Sequence, residues 1–471
     1  MSRKKDLAKN TVILTFGRIC TQFVSFLLLP LYTAILEPEV YGIADLFNSY
    51  IYLIIPLVSL MLDQGLFRFL LECREDEKRK KTLLSTVLLI NCVEIIIYLL
   101  IYLVIQRFID SQFKIFLLID VALNILLNTL LQFARGVGKN GIYAISSFLS
   151  ASMTVVSNVI TLVFLQMGAW GLFISTVVGR SIALIATMIL LRIWNYFEIK
   201  EFSKDEAKRL MNYSLPFIPN QLSWWIISVS DRTIISWFLN VAANGLYSVA
   251  NKFSSIYITF YNIFNLSWTE SVSLHINDKD SEEFLENTIN TMFKLFYVVC
   301  IGIIAYMPLV FPLLINEKYN QAYAQIPILM LAVLFQVVVG LYSVIYVALK
   351  KSTEIAKTSF WAAVINIGVD VALIKFIGLY AASISTLVAY VTMSVYRYFH
   401  IKKYVNVPLH RKGLYLFITI IVCISYYYNN IYINIFMALG VTVFAVVVNK
   451  EFIQDTIITI LTSIKKINKR G

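Results

Sequence analysis

The feature that most constrains this chain is a succession of apolar stretches, each about as long as a bilayer is thick. Fourteen of them, punctuated by charge, glycine and proline, lie near 11–35, 43–71, 82–105, 112–134, 142–166, 172–193, 213–239, 246–268, 288–315, 323–349, 355–376, 379–400, 414–429 and 431–449. A helix needs about 20 apolar residues to cross the hydrocarbon. Composition agrees: of 471 residues, 59% are hydrophobic and only 14% charged, too few charges to coat several soluble domains. Disorder, a secreted disulfide scaffold and an ordinary cytosolic enzyme are excluded. The fold class is an all-α polytopic membrane protein with twelve to fourteen transmembrane helices. Fourteen is the preferred count, although the last two stretches, separated only by Asn429 and Asn430, could form one re-entrant hairpin.

The net charge of +12 is mostly an orientation signal, because lysine and arginine stay on the cytoplasmic side of translocated loops. Thirty-one of the 40 cations fall on the N-terminus, the even-numbered loops and the C-terminal tail. Four, Arg107, Lys114, Lys318 and Lys375, fall on the odd-numbered loops, and five lie inside spans. Both termini of a multi-pass membrane protein are therefore expected in the cytoplasm. The basic runs at 3–5, 78–81 and 402–403 flank helix ends, where they anchor on anionic lipid; no nucleic-acid partner is expected. The first apolar run lacks a small-residue cleavage site and reads as a retained span. Cys20, Cys92, Cys300 and Cys423 lie in apolar stretches and Cys73 in a loop, the pattern of packed, reduced thiols.

Weak internal similarity recurs at offsets of 203–212 residues. The segment from Gly138 to Phe148 resembles Lys350 to Phe360, Gly168 to Val178 resembles Gly378 to Val388, and Tyr41-Gly42-Ile43 matches Asn244-Gly245-Leu246. Repeats of an even number of helices share one orientation, an arrangement used by secondary transporters that bind substrate between the halves. The expected organisation is a six-helix bundle over 1–212, a second over 213–404, and a helix pair with a basic tail over 405–471.

The five intramembrane cations are Arg18, Arg68, Arg180, Arg232 and Lys252. Each costs about 2.5–3.5 kcal/mol at the bilayer centre, so each needs a partner or a wet cavity. Helical periodicity groups Thr11, Thr15, Arg18, Gln22 and Ser25 on one face of the first helix. Ser248, Lys252, Ser255 and Thr259 form a second stripe, and Asn220, Ser223, Trp224 and Asp231 a third. On the second helix, Asp45 and Asp63, 18 residues or five helical turns apart, share a face with Asn48, Tyr52 and Ser59. These stripes are what a water-filled cavity requires, with Gln22, Asp45, Asp63, Asn220 and Asp231 as its polar and acidic lining. Arg68 precedes Glu72 by one turn and can snorkel; Asp231 is a possible partner for Arg232. Glu94 and Asp370, in mid-span, are candidates for binding a coupling ion, H+ or Na+, or for structural pairing.

Other patterns carry less. Gly136 to Gly141 satisfies GxGxxG but forms a tight loop between two spans, without the strand and helix that a dinucleotide site needs. Asp278-Lys279-Asp280 resembles a glycosyltransferase metal motif inside a charged connector. His275, His400 and His410 make no metal set. No catalytic residue, metal or cofactor is expected.

The stretch from Ser214 to Phe253, SLPFIPNQLSWWIISVSDRTIISWFLNVAANGLYSVANKF, resembles the seventh and eighth helices of bacterial polysaccharide-biosynthesis flippases of the multidrug/oligosaccharidyl-lipid/polysaccharide exporter superfamily. LPLYTAILEPEVYGIADLF and LDQGLFRF, within Lys9 to Phe69, are similar in character, and the resemblance covers most of residues 1–400. It implies movement of undecaprenyl-diphosphate-linked oligosaccharide from the inner to the outer leaflet by alternating access, for capsule or exopolysaccharide synthesis. Membrane lipid and other polysaccharide-assembly proteins would be the partners, in the bacterial plasma membrane. Buried arginine suits that cargo, since its planar fork of donors matches phosphate oxygens. A lipid II flippase and a multidrug/cation antiporter of the same fold are the alternatives; five buried cations argue against a cationic drug. An enzyme, either a polymerase or a lipid-linked glycosyltransferase, would need a larger outer loop than 106–111 or 316–322 offers.

Overall fold

The computed structural model describes residues 26–276, 278–349, 351–405, 412–428, 430–450 and 454. They form helices and, among the described residues, no strand. The chain packs as two compact units, 1–248 and 249–471. The expected boundary at 212 counts helices per repeat, whereas the division at 248 marks where packing thins.

The first unit contains Leu29–Ile35 (α1), Pro38–Val58 (α2), Leu62–Leu70 (α3), Glu77–Ile105 (α4), Ile115–Gly136 (α5), Asn140–Asn158 (α6), Ala169–Leu191 (α7), Lys204–Ser214 (α8), Phe217–Phe238 (α9) and the opening of Val241–His275 (α10). Local chemistry sets the helix starts. Pro38 opens α2, where its fixed φ fits and no amide is lost. Asp76 caps α4 by accepting from the Arg79 amide, and Ser203 caps α8 by accepting from the Glu206 amide. Leu62, Leu66 and Leu70 of α3 are fully buried against Leu83, Leu84 and Val87 of α4, Phe133 of α5 and Leu210 of α8. A close crossing holds α6 to α7: a Cβ at Gly179 would lie 2.8 Å from the Ser150 carbonyl oxygen, the small-residue contact that lets membrane helices approach.

The second unit contains the rest of α10, then Ser281–Leu314 (α11), Ile326–Ala348 (α12), Ser352–Ile377 (α13), Tyr380–Ile401 (α14), Lys412–Tyr428 (α15) and Ile431–Val448 (α16). Helix α12 is the most enclosed of the apolar spans, with 67% of its core window buried, and α11, α13 and α14 pack on it. The last two stretches are separate helices, both packed on α11. Tyrosines tie them down: Tyr297 donates to the Tyr415 carbonyl (2.6 Å), Tyr426 to that of Tyr323 (2.6 Å) and Tyr427 to that of Ala324 (2.8 Å). Asn430 caps α16 by accepting from the amides of Tyr432 and Ile433.

Among the described residues nine helices are long and apolar enough to cross a membrane, and the protein is a multi-pass membrane protein. Helices α9, α10 and α14 also have the length; Asp231, Arg232, Lys252 and Arg397 lower their hydropathy. The expected first span, with Arg18 and Gln22, lies mostly outside the described residues.

The repeat leaves marks in the backbone. Gly168 and Gly378 precede α7 and α14 in nearly identical conformations, φ 56°, ψ −131° and φ 57°, ψ −133°, a region open only to glycine. Lys139 and Lys351 precede α6 and α13, and their amides donate to Ala134 and Tyr346, five residues back, at 2.8 Å in both cases. Gly42 and Gly245 meet each other. A Cβ on Gly42 would collide with the Val241 oxygen, and one on Gly245 with the Pro38 oxygen. Those two contacts are exchanged by the repeat offset, which is the reciprocity of a two-fold crossing.

One expectation is corrected. The second span is not continuous: α2 ends at Val58, Leu60 and Met61 take left-handed conformations (φ 45° and 55°), and α3 begins at Leu62. Pro56 in the last turn of α2 removes an amide donor, and the Ser59 hydroxyl accepts from the Met61 amide at 3.3 Å. Asp45 and Asp63 therefore lie on different helices and share no stripe.

Candidate functional site

Charged and polar side chains from α2, α9 and the start of α10 come together in the first unit. Trp225 of α9 donates its indole N–H to the Ser49 carbonyl of α2 at 2.8 Å, and Asn244 of α10 donates to the Gly42 carbonyl at 3.0 Å. Two turns of α9 beyond Trp225, the Arg232 Nε donates to Asp45 Oδ2 at 2.8 Å, and Nη1 donates to the Ser228 carbonyl at 3.0 Å. The two charged side chains are 13% and 17% exposed. That is an ion pair mostly withdrawn from solvent but still reachable.

Asp231 is not the partner of Arg232. Neighbours on a helix point about 100° apart, and Asp231, 2% exposed, accepts instead from the Tyr247 hydroxyl at 2.8 Å. Asp231 and Tyr247 remain within electrostatic reach of Arg232, and Tyr41, one turn before Asp45, feels both members of the pair. The site thus holds one guanidinium among two carboxylates and two phenols. Among the described residues the hydrogen bonds of Arg232 use Nε and Nη1, and Nη2 is left over. A guanidinium with an unused edge can take a phosphate oxygen without first being stripped of every partner.

The family model described as polysaccharide biosynthesis protein matches residues 7–269, a stretch that includes this whole cluster. The chain belongs to that family. No curated protein matches it. Solved structures of the same fold do. The inward closed conformation of the lipid II flippase MurJ is 17% identical, covers 96% of this chain and 100% of that one, and superposes with a TM-score of 0.66. An inward-facing multidrug resistance MATE family transporter of the MOP superfamily is 14% identical, covers 81% and 95%, and has a TM-score of 0.66. An outward-facing one is also 14% identical, covers 84% and 95%, with a TM-score of 0.57. At such identities the likeness establishes the fold.

The other expected site residues of this polysaccharide biosynthesis family member are dispersed. Arg180 of α7 pairs with Asp120 of α5, their side chains 17% and 4% exposed. Arg68 ends α3, half exposed, and pairs with Glu72 at 3.3 Å, a local contact of small worth. Lys252 lies half-buried on α10 without an ion pair among the described residues. Its stripe is quieted from within, because Ser255 and Thr259 donate to the carbonyls of Asn251 and Ser255 one turn back. Asn220 is exposed in the first turn of α9. Asp63 accepts from Gln64 at 2.7 Å. Glu94 is buried on α4. Asp370 is buried on α13, one turn after Asn366, whose amide donates to Ser385 and Thr386 of α14 at 3.3 and 3.4 Å. Arg18 and Gln22 lie outside the described residues.

Sequence reasoning missed two groups. Asp120, in mid-span like Glu94, carried the signal of an unexplained intramembrane acid. Arg397, three residues before His400, reads as a loop cation but is 1% exposed. It donates from Nε and Nη2 to Thr358 at 3.1 and 2.7 Å, from Nη1 to the Val339 carbonyl at 3.2 Å and to Ser343, and from Nη2 to the Ile355 carbonyl at 3.5 Å. It clamps α12, α13 and α14 together. The Gly136–Gly141 stretch forms the turn between α5 and α6: Gly138 takes φ 84°, and Arg74 Nε donates to the Gly136 carbonyl at 3.0 Å.

Proposed function

We propose that the protein is a flippase that moves undecaprenyl-diphosphate-linked oligosaccharide from the inner to the outer leaflet of a bacterial plasma membrane by alternating access, in capsule or exopolysaccharide assembly. The observation that carries the reading is the Arg232–Asp45 pair, within the stretch that matches the polysaccharide biosynthesis family. A diphosphate cannot enter hydrocarbon unaccompanied, and an arginine held in reserve by a carboxylate supplies a counter-charge without leaving a bare cation in the empty protein. As the headgroup arrives, its oxygens replace Asp45 on the Arg232 fork. As it leaves, Asp45 returns and the guanidinium is never unpaired. Arg18, Arg68 and Lys252 are the further cations assigned to the path, Arg180 stays with its partner Asp120, and the serine, threonine and asparagine hydrogen-bonding groups serve the sugars.

The test is translocation in proteoliposomes. Purified protein should move a fluorescent lipid-linked oligosaccharide between leaflets, and Arg232→Ala should slow it at least tenfold. Unchanged transport in the combined Arg18→Ala, Arg232→Ala and Lys252→Ala variant would end the cationic-path mechanism. A second reading, a flippase for lipid II, is favoured by the match of the MurJ fold to 96% of this chain. Complementation of cells depleted of their lipid II flippase separates the two.

A further inference from the structure

We infer that Glu94 is a proton-carrying site of the transport cycle, loaded as the neutral acid beside the break between α2 and α3. The inference deepens the flippase reading, on which its role in coupling rests. Glu94 lies near the middle of the longest apolar stretch of the first unit, Glu77–Phe108. It is 6% exposed, and neither carboxylate oxygen has a hydrogen-bond partner among the described residues. The polar groups one turn to either side are committed elsewhere: Asn91 donates to Thr129 at 2.7 Å, and Tyr98 donates to the Leu117 carbonyl at 3.3 Å.

The charged groups on the neighbouring helices are accounted for as well. Arg68 turns to Glu72, Asp120 to Arg180 and Asp45 to Arg232. Arg135 lies over the Phe67 and Tyr143 rings. Glu201 and Glu206 engage Thr82 and Arg79 at the start of α4. The group within electrostatic reach of Glu94 is another acid, Asp63, in the first turn of α3. An anionic Glu94 would therefore meet apolar surroundings and a second carboxylate, with nothing to compensate its charge.

The occupant is a proton and not a metal cation. A hard cation asks for a shell of about six oxygens, and the described residues contain no cluster of three or more acidic, histidine or cysteine ligands. A proton asks for one oxygen. Loading forms an O–H bond on one oxygen of Glu94 with a proton from water, and unloading returns that proton to water. The left-handed Leu60 and Met61 at the break interrupt the helix inside the apolar stretch 43–71, and membrane proteins tolerate non-helical backbone in such a stretch where it lines protein or a wet path.

The test uses full-length protein in liposomes. Infrared spectra at neutral pH distinguish a protonated carboxyl, whose carbonyl band moves in D2O, from a carboxylate. Wild type should show such a band, Glu94→Gln should lose it, and Glu94→Asp should keep it. Glutamine mimics the neutral acid in shape, so Glu94→Gln should unfold at the wild-type temperature. An imposed pH gradient should accelerate lipid-linked oligosaccharide translocation in wild type and Glu94→Asp, whereas in Glu94→Gln the ratio of rates with and without the gradient should fall to one. A spectrum that Glu94→Gln does not change, or a gradient response that it retains, overturns the inference. Should wild type translocate no lipid-linked oligosaccharide, the cargo reading fails, and the infrared band still decides for or against Glu94.

Discussion

Exchanging Asp45 for asparagine separates the two roles that its contact with Arg232 can have. The bond is 2.8 Å long between side chains 13% and 17% exposed. A hydrogen bond between charged groups contributes about 1.5–3 kcal/mol, and stripping one partner from a fully buried pair costs about 3–5 kcal/mol. Residual exposure and the retained Ser228 carbonyl place Asp45→Ala at the low end, about 2–3 kcal/mol of lost stability. Asp45→Asn keeps an acceptor of the same shape and should lose about 1 kcal/mol. In a double-mutant cycle Asp45→Ala and Arg232→Ala should couple by about 2 kcal/mol.

For an anionic ligand the sign reverses. Asp45 is then a competitor for the guanidinium, and weakening it by about 1.4 kcal/mol tightens ligand binding tenfold. Inorganic pyrophosphate, measured by calorimetry on the detergent-solubilised protein, should bind Asp45→Asn up to about tenfold more tightly than wild type. Arg232→Ala should lose that binding. If Asp45→Asn weakens pyrophosphate as Arg232→Ala does, the pair is a structural clamp and the exchange mechanism is refuted.

Four further outcomes are expected. Gly42→Ala or Gly245→Ala, which drive a Cβ into the Val241 or Pro38 backbone oxygen, should cost about 3 kcal/mol or abolish folding, read as thermal stability and yield. Gly302→Ala, where a Cβ meets nothing within 4 Å, should be neutral or gain about 0.5–1 kcal/mol in the same assay. Arg397→Lys keeps the charge but not the planar fork that reaches Thr358, Ser343 and two carbonyls, and should lower stability by about 2–4 kcal/mol. Tyr426→Phe removes the 2.6 Å bond to the Tyr323 carbonyl and should cost about 1 kcal/mol, seen as a lower unfolding temperature.

Helix positions were legible because a bilayer imposes a length on every span, and the described helices follow the apolar stretches closely. The break after Val58 was not legible. Ser59-Leu60-Met61 carries neither glycine nor proline, so apolar periodicity runs on through a backbone reversal that Pro56 and the Ser59 hydroxyl bring about. Repeat equivalence was legible at Gly168 and Gly378, where one backbone conformation demands one residue. Partners were the least legible part of the site. Asp231 is adjacent to Arg232 in sequence and faces elsewhere, whereas Asp45 is 187 residues away and binds it. Sequence gives the face of a helix, and only packing gives what that face meets.

The buried arginines then separate by spare capacity more than by depth. Arg397 is the deepest, and the bonds it makes to neutral oxygens occupy all five of its donors. A ligand could reach it only by dismantling the junction of α12, α13 and α14. Arg180 meets Asp120, a carboxylate 4% exposed, whose displacement would strand an anion in the membrane. Arg232 differs on both counts. Its carboxylate is four times as open, at 17%, so Asp45 can be rehydrated when displaced, and its Nη2 is not needed by the fold. An anion carrier requires a cation that is satisfied when empty and available when loaded. Of the arginines buried in the described membrane helices, Arg232 meets both conditions, which is why the decisive exchange experiment belongs at Asp45.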